Sequence, residues 1–190
     1  AILGSANIGW KNQLYLGVTA RNEWSSTLPK DNNHYFFPSV SLSWVFSEAL
    51  NMNTTGAFSY GKLRGSWAKL GKDAPTYATR AYYSGAKSND GWTDGLLIPG
   101  AFTLDNVLGN SQLKPEFTNT YEGGVELKFF HSRVGIDASY YYRKATDLIV
   151  PAQIAGSTGF TNAFLNTGAI STKGIDLQLE LGIIRSKSFN

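Results

Sequence analysis

Seven segments of the chain alternate apolar and polar residues with a period of two. In the last one, apolar residues at 175, 177, 179, 181 and 183 alternate with Asp176, Gln178, Glu180 and Gly182. The others begin near residues 2, 14, 39, 63, 121 and 134. The third of the seven reaches Phe46, and the fourth, from Leu63 to Ala68, is shorter than the rest. This period marks a β-strand whose two faces meet different surroundings. Most segments have the roughly 9 to 11 residues that a tilted strand needs to cross a bilayer, against ~5 to 6 in soluble sheets.

The predicted connections alternate between tight turns and long loops. Lys11 to Gln13 and Phe130 to Arg133 form short turns, whereas residues 24–36, 71–117 and 145–165 form long connections. One exception, residues 47–59, falls on the tight-turn side. Outer-membrane barrels combine short periplasmic turns with long extracellular loops, and soluble domains rarely carry such long irregular connections. Aromatic residues near the segment ends, such as Trp10, Tyr35, Phe37, Trp44 and Phe129, suit the interface girdles of such a barrel.

Composition excludes several other classes. The chain has 190 residues, no cysteine, 16% charged residues and a formal net charge of +3. It therefore has no disulfide or thiolate metal site, and it lacks the runs of like charge that mark nucleic-acid-binding segments. No stretch of 18 apolar residues predicts a membrane-spanning helix. The pattern favours an all-β, antiparallel transmembrane β-barrel fragment, because seven strands cannot close a barrel of even strand number. A soluble or surface β-sandwich that binds glycans without transport remains the alternative.

Candidate catalytic and metal-binding residues are few. His34 and His131 are far apart in sequence, so they predict no triad or zinc site. Residues 56–62 imitate a phosphate-binding G-x-x-x-x-G-K loop, but Leu63 stands where Ser or Thr must reach Mg²⁺ and a strand follows. Residues 89–95 (NDGWTDG) offer oxygen ligands for Ca²⁺ but lack the closing Glu, which favours an ordinary Asp-Gly turn. We therefore expect no enzyme activity, no catalytic residue, no cofactor and no metal.

Two further groups of side chains are candidates for contacts with cargo. Trp92 and the pair Tyr82 and Tyr83 could stack on sugar rings, but packing within the loop is the favoured explanation, because aromatic residues are frequent throughout the chain. The polar face carries charges of both signs, which would be costly if they faced lipid. They therefore predict which face looks into the lumen: Arg21, Glu23, Arg64, Glu122, Glu126, Lys128, Asp137, Arg143, Asp176 and Glu180.

Six stretches resemble, in order, motifs of TonB-dependent outer-membrane receptors of the SusC/RagA class. They are YLGVTAR at 15–21, FPSVSLSW at 37–44, LRGSWA at 63–68, LKPEFTNTYEGG at 113–124, DASYYYRKATDLI at 137–149, and NTG at 166–168 followed by KGID at 173–176. The resemblance covers most of the chain, and residues 71–110 match none of the motifs. The set is specific because the stretches keep the order of the family.

The resemblance implies that residues 1–190 are part of one barrel of 22 strands, plugged by an N-terminal domain. The plug, the TonB-contacting segment and the C-terminal strands would lie outside this chain. The implied function is import of a nutrient, an oligosaccharide or a peptide, across the outer membrane of a Gram-negative bacterium. The implied partners are TonB, a SusD-like surface lipoprotein and outer-membrane lipid, with no nucleic acid. An iron-chelate receptor of the same fold would differ in cargo only.

Overall fold

A computed structural model describes residues 1–52, 57–88 and 95–182. Its main feature is one antiparallel sheet of seven long strands. In spatial order they are β1 (Ile2–Trp10), β2 (Leu14–Trp24), β3 (His34–Trp44), β4 (Phe58–Lys72), β8 (Glu116–Phe129), β9 (Val134–Thr146) and β12 (Ala169–Leu181). These are the seven segments that the alternation predicts. The all-β prediction is confirmed, and the sheet is open because β1 and β12 form its two edges.

The long connections contain short strands that the sequence pattern did not predict. Strands β5 (Tyr83–Lys87) and β6 (Leu97–Leu104) form a hairpin, and β10 (Ile149–Gln153), β11 (Asn162–Asn166) and β7 (Val107–Leu108) form a small sheet in that order. The interpretation of these connections as irregular loops was wrong. Strands of two to eight residues are too short to display a clear alternation. Strand β7 also pairs with β11 from a different connection, which periodicity does not register.

Several predicted strand bounds also need correction. Strand β4 has 15 residues, against the short segment expected near Leu63. Phe46, interpreted as the end of the third strand, instead begins a single helical turn, α1 (Phe46–Ala49). This turn occupies part of the exceptional connection at 47–59. Two further turns of 3₁₀ helix lie at Lys30–Asn32 and Gly156–Thr158. Ile183 lies outside the described residues.

The register of the seven strands produces two distinct faces. One row on what we call the apolar face runs from β1 to β12 through Trp10, Leu14, Trp44, Leu63, Val125, Ala138 and Leu177. A row on the opposite, polar face runs through Asn7, Gly17, Ser41, Ser66, Glu122, Tyr141 and Gly174. Since side chains alternate along a strand, each face keeps its chemistry across the sheet. Leu177 on the apolar face is 73% exposed, so this face is not the interior of the described fold.

The two ends of the sheet differ in their connections. At the tight-turn end, Lys11 and Asn12 adopt positive φ between β1 and β2, and Phe130, His131 and Ser132 do so between β8 and β9. At the opposite, long-connection end, residues 25–33, 73–115 and 147–168 join β2 to β3, β4 to β8 and β9 to β12. The predicted alternation of tight and long connections therefore holds.

A small apolar core lies at the long-connection end. It consists of Leu28, Tyr35, Phe37, Ala74, Ala78 and Leu113, with Phe117, Ile149 and Phe164 packed against it. Pairing between β3 and β4 stops at Ser39, and the preceding Pro38 has no N–H to donate. Beyond that point Phe37 packs where Gly71 has no side chain, since a Cβ there would lie 2.3 Å from the Phe37 ring. Tyr35 and Phe37 are therefore core residues and not members of an aromatic girdle.

Candidate functional site

Ion pairs connect three neighbouring strands across the polar face. The Arg64 guanidinium on β4 contacts both carboxylate oxygens of Asp137 on β9 at 2.6 Å, and its Nε lies 3.9 Å from Glu122 on β8. Gly124 of β8 lies between the two partners, and a Cβ there would be 2.8 Å from the Arg64 Nε. The missing side chain lets the guanidinium cross β8. This geometry makes Arg64 the centre of a charge network that spans β4, β8 and β9.

A second group of ion pairs lies one step closer to the tight-turn end. The Lys62 Nζ is 3.7 Å from one Glu126 carboxylate oxygen, and the Lys128 Nζ is 3.3 Å from the other. Lys128 also lies over the ring of Tyr60, 5.6 Å from its centroid. Cations and anions of this part of the polar face therefore compensate one another. The wall is hydrophilic without a strong excess of either sign.

The remaining predicted polar-face charges have different surroundings. Arg21 contacts Glu23 two residues along the same strand, and the Arg143 guanidinium packs over the ring of Tyr141 at 5.1 Å. Asp176 and Glu180 make no ion pair within the described part of the chain. All ten predicted residues lie on the polar side of the register, but only Arg64, Glu122, Glu126, Lys128 and Asp137 take part in the ion pairs of β4, β8 and β9.

Strands β1 to β3 present a different surface on the same face. Their central positions carry hydroxyl and amide groups without charge, and a hydrogen bond of 2.5 Å joins the Thr19 and Ser39 hydroxyls. We call this set the hydroxyl panel: Ser5, Asn7, Thr19, Ser39, Ser41 and Ser43. Such groups can both donate and accept hydrogen bonds. The central part of the polar face is therefore uncharged on β1 to β3 and ion-paired on β4, β8 and β9, and the Arg21–Glu23 pair lies nearer the long-connection end of β2.

The two longest connections are joined to each other. Strand β7 of the first pairs in parallel with β11 of the second, through Val107 and Leu108. Asn166 forms a two-way bridge, since its Oδ1 accepts from the Lys114 N–H and its Nδ2 donates to the Lys114 carbonyl, both at 2.8 Å. The same Nδ2 donates to the Asp147 carbonyl at 2.9 Å. Asn110 adds a bond from its Nδ2 to the Phe164 carbonyl at 3.0 Å.

Asp73 links the connection after β2 to the one after β4. Its carboxylate accepts a hydrogen bond from the Ser25 hydroxyl at 2.8 Å and another from the Tyr35 hydroxyl. Tyr35 is 4% exposed, so its hydroxyl depends on this partner. Elsewhere in the connections, a hydrogen bond to Asp105 raises the pKa of Tyr82. These contacts hold the connections in a defined arrangement at the long-connection end of the sheet.

The weaker sequence candidates do not assemble into a site. His34 lies against Trp24, with ring centroids 5.4 Å apart, and His131 lies in the tight turn at the opposite end of the sheet. Gly61 and Lys62 of the G-x-x-x-x-G-K match lie within β4, a strand and not a loop before a helix. The candidate Ca²⁺ loop and Trp92 lie outside the described residues, apart from Gly95. Tyr82 packs on Tyr77 at 5.1 Å, while Tyr83 is exposed.

Two other kinds of feature are absent from the described residues. No three His, Cys, Asp or Glu side chains there converge as a metal-binding group. None of the helices in the described ranges is long and apolar enough to cross a membrane.

Sequence reasoning missed the residues that organise the connections. Asn166 was noted only as part of the NTG stretch, and Asp73 was not singled out. No local pattern could have identified them, because their partners lie 19 to 52 residues away in sequence.

Comparison with known proteins identifies the family. The family model described as "TonB dependent receptor-like, beta-barrel" matches residues 1–190. TonB-dependent receptor P26 of Formosa agariphila is 30% identical over 200 residues, which cover 100% of this chain and 19% of P26. TonB-dependent receptor SusC of Bacteroides thetaiotaomicron is 28% identical over 197 residues, covering 98% of this chain and 19% of SusC. The chain therefore spans about a fifth of the length of these relatives.

Solved structures share the fold. The RagAB peptide importer in its closed-closed state matches with a TM-score of 0.80 at 21% identity, over 97% of this chain and 20% of that chain. The siderophore receptor PirA from Pseudomonas aeruginosa matches with a TM-score of 0.60 at 17% identity, over 93% of this chain and 30% of that chain. The resemblance to the SusC/RagA class is confirmed. This chain belongs to the TonB-dependent receptor β-barrel family, and its open seven-stranded sheet has the fold of that barrel's wall.

Proposed function

We propose that this chain forms part of the wall of an outer-membrane, TonB-dependent importer of a nutrient. The observation that carries the proposal is the register, which gives all seven strands one apolar and one polar face. In a barrel the apolar face meets lipid and the polar face lines the lumen. Large apolar side chains on the first face are exposed, as a lipid-facing wall requires, including Ile8, Leu42, Leu177 and Leu179. A β-sandwich would instead bury this face against a second sheet.

Aromatic rows support the same orientation. Trp67, Tyr121 and Tyr142 share one row of the apolar face, and Phe129 ends β8 nearer the tight turn. Tyr121 and Phe129 are eight residues apart, or roughly 27 Å along the strand. With a strand tilt of about 40°, this becomes roughly 20 Å across the membrane, close to the ~25 Å apolar band that aromatic girdles flank. The long connections then lie on the extracellular side.

We infer that the cargo is an oligosaccharide or another glycan. The hydroxyl panel supports this inference, because uncharged groups that donate and accept hydrogen bonds suit a neutral ligand rich in hydroxyls. The ion pairs of β4, β8 and β9 agree with it, since the charges that take part in them compensate one another. RagAB is named as a peptide importer, which makes a peptide the second candidate cargo. The working complex would include a SusD-like surface lipoprotein, and TonB would deliver energy through a segment outside this chain.

Growth of a strain that lacks the complete receptor tests both parts of this proposal. We expect a defect on one glycan as sole carbon source, restored by the receptor gene, and normal growth on peptides and under iron limitation. A growth defect confined to peptides would show that the cargo is a peptide and not a glycan. A growth defect confined to iron limitation would indicate an iron-chelate receptor. Recovery of the complete protein in the soluble fraction, without heat-modifiable gel mobility, would contradict the membrane location itself.

A further inference from the structure

Within the seven described strands, the basic side chains of the apolar face all lie at its long-connection border. They are Lys69, Lys144 and Lys173, together with His34. Every Asp and Glu of the seven described strands lies at a polar-face position instead: Glu23, Glu116, Glu122, Glu126, Asp137, Asp176 and Glu180. This border of the apolar face is therefore basic, without an acidic residue to balance it.

The register brings the three lysines into one patch. Lys69, Asn119, Lys144 and Ser171 form a continuous row across β4, β8, β9 and β12. Lys69 and Lys144 are two strands apart, which places their Cα atoms about 10 Å from each other. Lys173 lies two residues beyond Ser171, diagonally opposite Lys144 at about 7 to 8 Å. We call this set of five residues the basic border.

The lysines of the basic border lack ionic partners within the described fold. None of its three lysines makes an ion pair with a described residue, whereas Lys62 and Lys128 of the polar face both contact Glu126. The Lys69 Nζ packs over the ring of Phe117 at 4.3 Å, and the other two side chains are exposed. Three ammonium groups without an ionic partner among the described residues leave this border positively charged, which favours an anionic partner from outside the chain.

The surroundings indicate which kind of anion. Directly next to the basic border lie Trp67, Tyr121 and Tyr142, followed by apolar positions such as Ile175 and Leu177. A ligand that contacts the basic border, the aromatic row and the apolar positions in turn carries negative charge at one end and an apolar chain at the other. Amphipathic aromatic rings occupy the level of the headgroups, and basic clusters beside membrane segments bind anionic lipids.

We propose that Lys69, Lys144 and Lys173 bind the phosphate groups of an anionic lipid in the outer leaflet. Asn119 and Ser171 donate further hydrogen bonds to the same headgroup, and the acyl chains lie along the apolar face. The inference rests on the proposed function, because that function puts the apolar face in lipid and the long connections outside. It adds a lipid-binding site to the outer surface of the wall.

The test measures lipid retained by the complete receptor after purification in detergent. The probe is bis-phosphorylated lipid A, a phosphorylated and acylated disaccharide, added to delipidated protein and quantified by native mass spectrometry. The test variant combines K69Q, K144Q and K173Q. A matched control combines K11Q, K30Q and K87Q, three exposed lysines away from the border. A third variant carries arginine at the three border positions.

We expect the test variant to lose at least about tenfold in lipid A binding, while the control and the arginine variant bind as the unchanged receptor does. Lipid A without its phosphates should bind as weakly as the test variant. Undiminished binding by the test variant, equal binding of the dephosphorylated lipid, or displacement by millimolar inorganic phosphate would overturn the inference. Heat-modifiable mobility is recorded on the same samples, so that failure of the lipid site is distinguishable from failure to form a membrane barrel.

Discussion

The guanidinium of Arg64 and the carboxylate of Asp137 contact each other through two nitrogen–oxygen pairs of 2.6 Å, across a strand to which neither belongs. Their side chains are 29% and 31% exposed. Paired contacts of this kind are directional, and Gly124 leaves the space that they need. The contact therefore joins β4 and β9 beyond the backbone ladder of β8.

A double-mutant cycle measures the strength of this contact. We expect R64Q and D137N each to lower the free energy of unfolding of the complete receptor in urea. Their coupling energy should be about 1 kcal/mol, because the pair is partly exposed but has two contacts. The matched cycle pairs R143Q with D137N, whose positions lie about 20 Å apart along β9. Coupling as large in the second cycle as in the first would rule out a specific contact.

Gly61 and Gly65 provide a test of packing on one face of one strand. A Cβ at Gly61 would lie 2.2 Å from the Phe46 ring, whereas at Gly65 the nearest atom, the Glu122 carbonyl oxygen, is 3.9 Å away. We expect G61A to destabilise the folded barrel by about 1 to 3 kcal/mol through overpacking, and G65A to have little effect. Urea unfolding followed by heat-modifiable gel mobility measures both. Equal tolerance of the two substitutions would contradict the packing of α1 on β4.

Asn166 should control the opening of the two longest connections. We expect N166A to remove the bridge between Lys114 and Asp147 and to cost about 2 kcal/mol. Amide hydrogen exchange in residues 105–115 and 147–168 should then accelerate together, by about 30-fold. Q153A, in the adjacent strand β10, is the control and should leave the exchange rates unchanged. Acceleration confined to one connection would mean that the two do not form a unit.

Leu177 and Gln178 are neighbours on β12 that face opposite sides. We expect L177R to cost roughly 2 to 4 kcal/mol, the penalty for a cation on the lipid face near the membrane midplane. Q178R should be tolerated, because its side chain enters the polar lumen. The measurement is the amount of heat-modifiable receptor recovered in the outer-membrane fraction. Similar recovery of both variants, with wild-type mobility, would contradict the assignment of the faces.

The seven long strands were predictable because each one alternates apolar and polar residues according to the different surroundings of its two faces. In β12, for example, the alternation from Ile175 onward identifies both the strand and its lipid-facing side. The ends of a strand were less predictable where the alternation stops before the strand does. Strand β4 extends to Phe58 and Lys72 through pairing with β8, although its ends contain glycines and lysines that interrupt the alternation.

The organisation of the connections was not predictable from the residues. Val107 and Leu108 form a strand only because β11 from another connection lies beside them. Likewise, Tyr35 suits an interface girdle by position, yet it is buried against residues some 40 to 80 positions later, including Ala74 and Leu113. Such contacts depend on residues that are far apart in the sequence, so a local pattern does not predict them. The sequence correctly assigned the charged residues to the polar face. It did not show which of them form ion pairs, because that depends on which strands are neighbours and on their register.

Spin labels along β12 test the central claim that the odd-numbered positions face lipid. The chain has no cysteine, so single cysteines at residues 176 to 181 can be labelled once any cysteine elsewhere in the complete receptor is replaced. In membranes, we expect labels at 177, 179 and 181 to be more accessible to oxygen, and labels at 176, 178 and 180 to be more accessible to a nickel chelate. A period of two in the ratio of the accessibilities would support the account. The same ratio at all six positions, or the opposite phase, would contradict it.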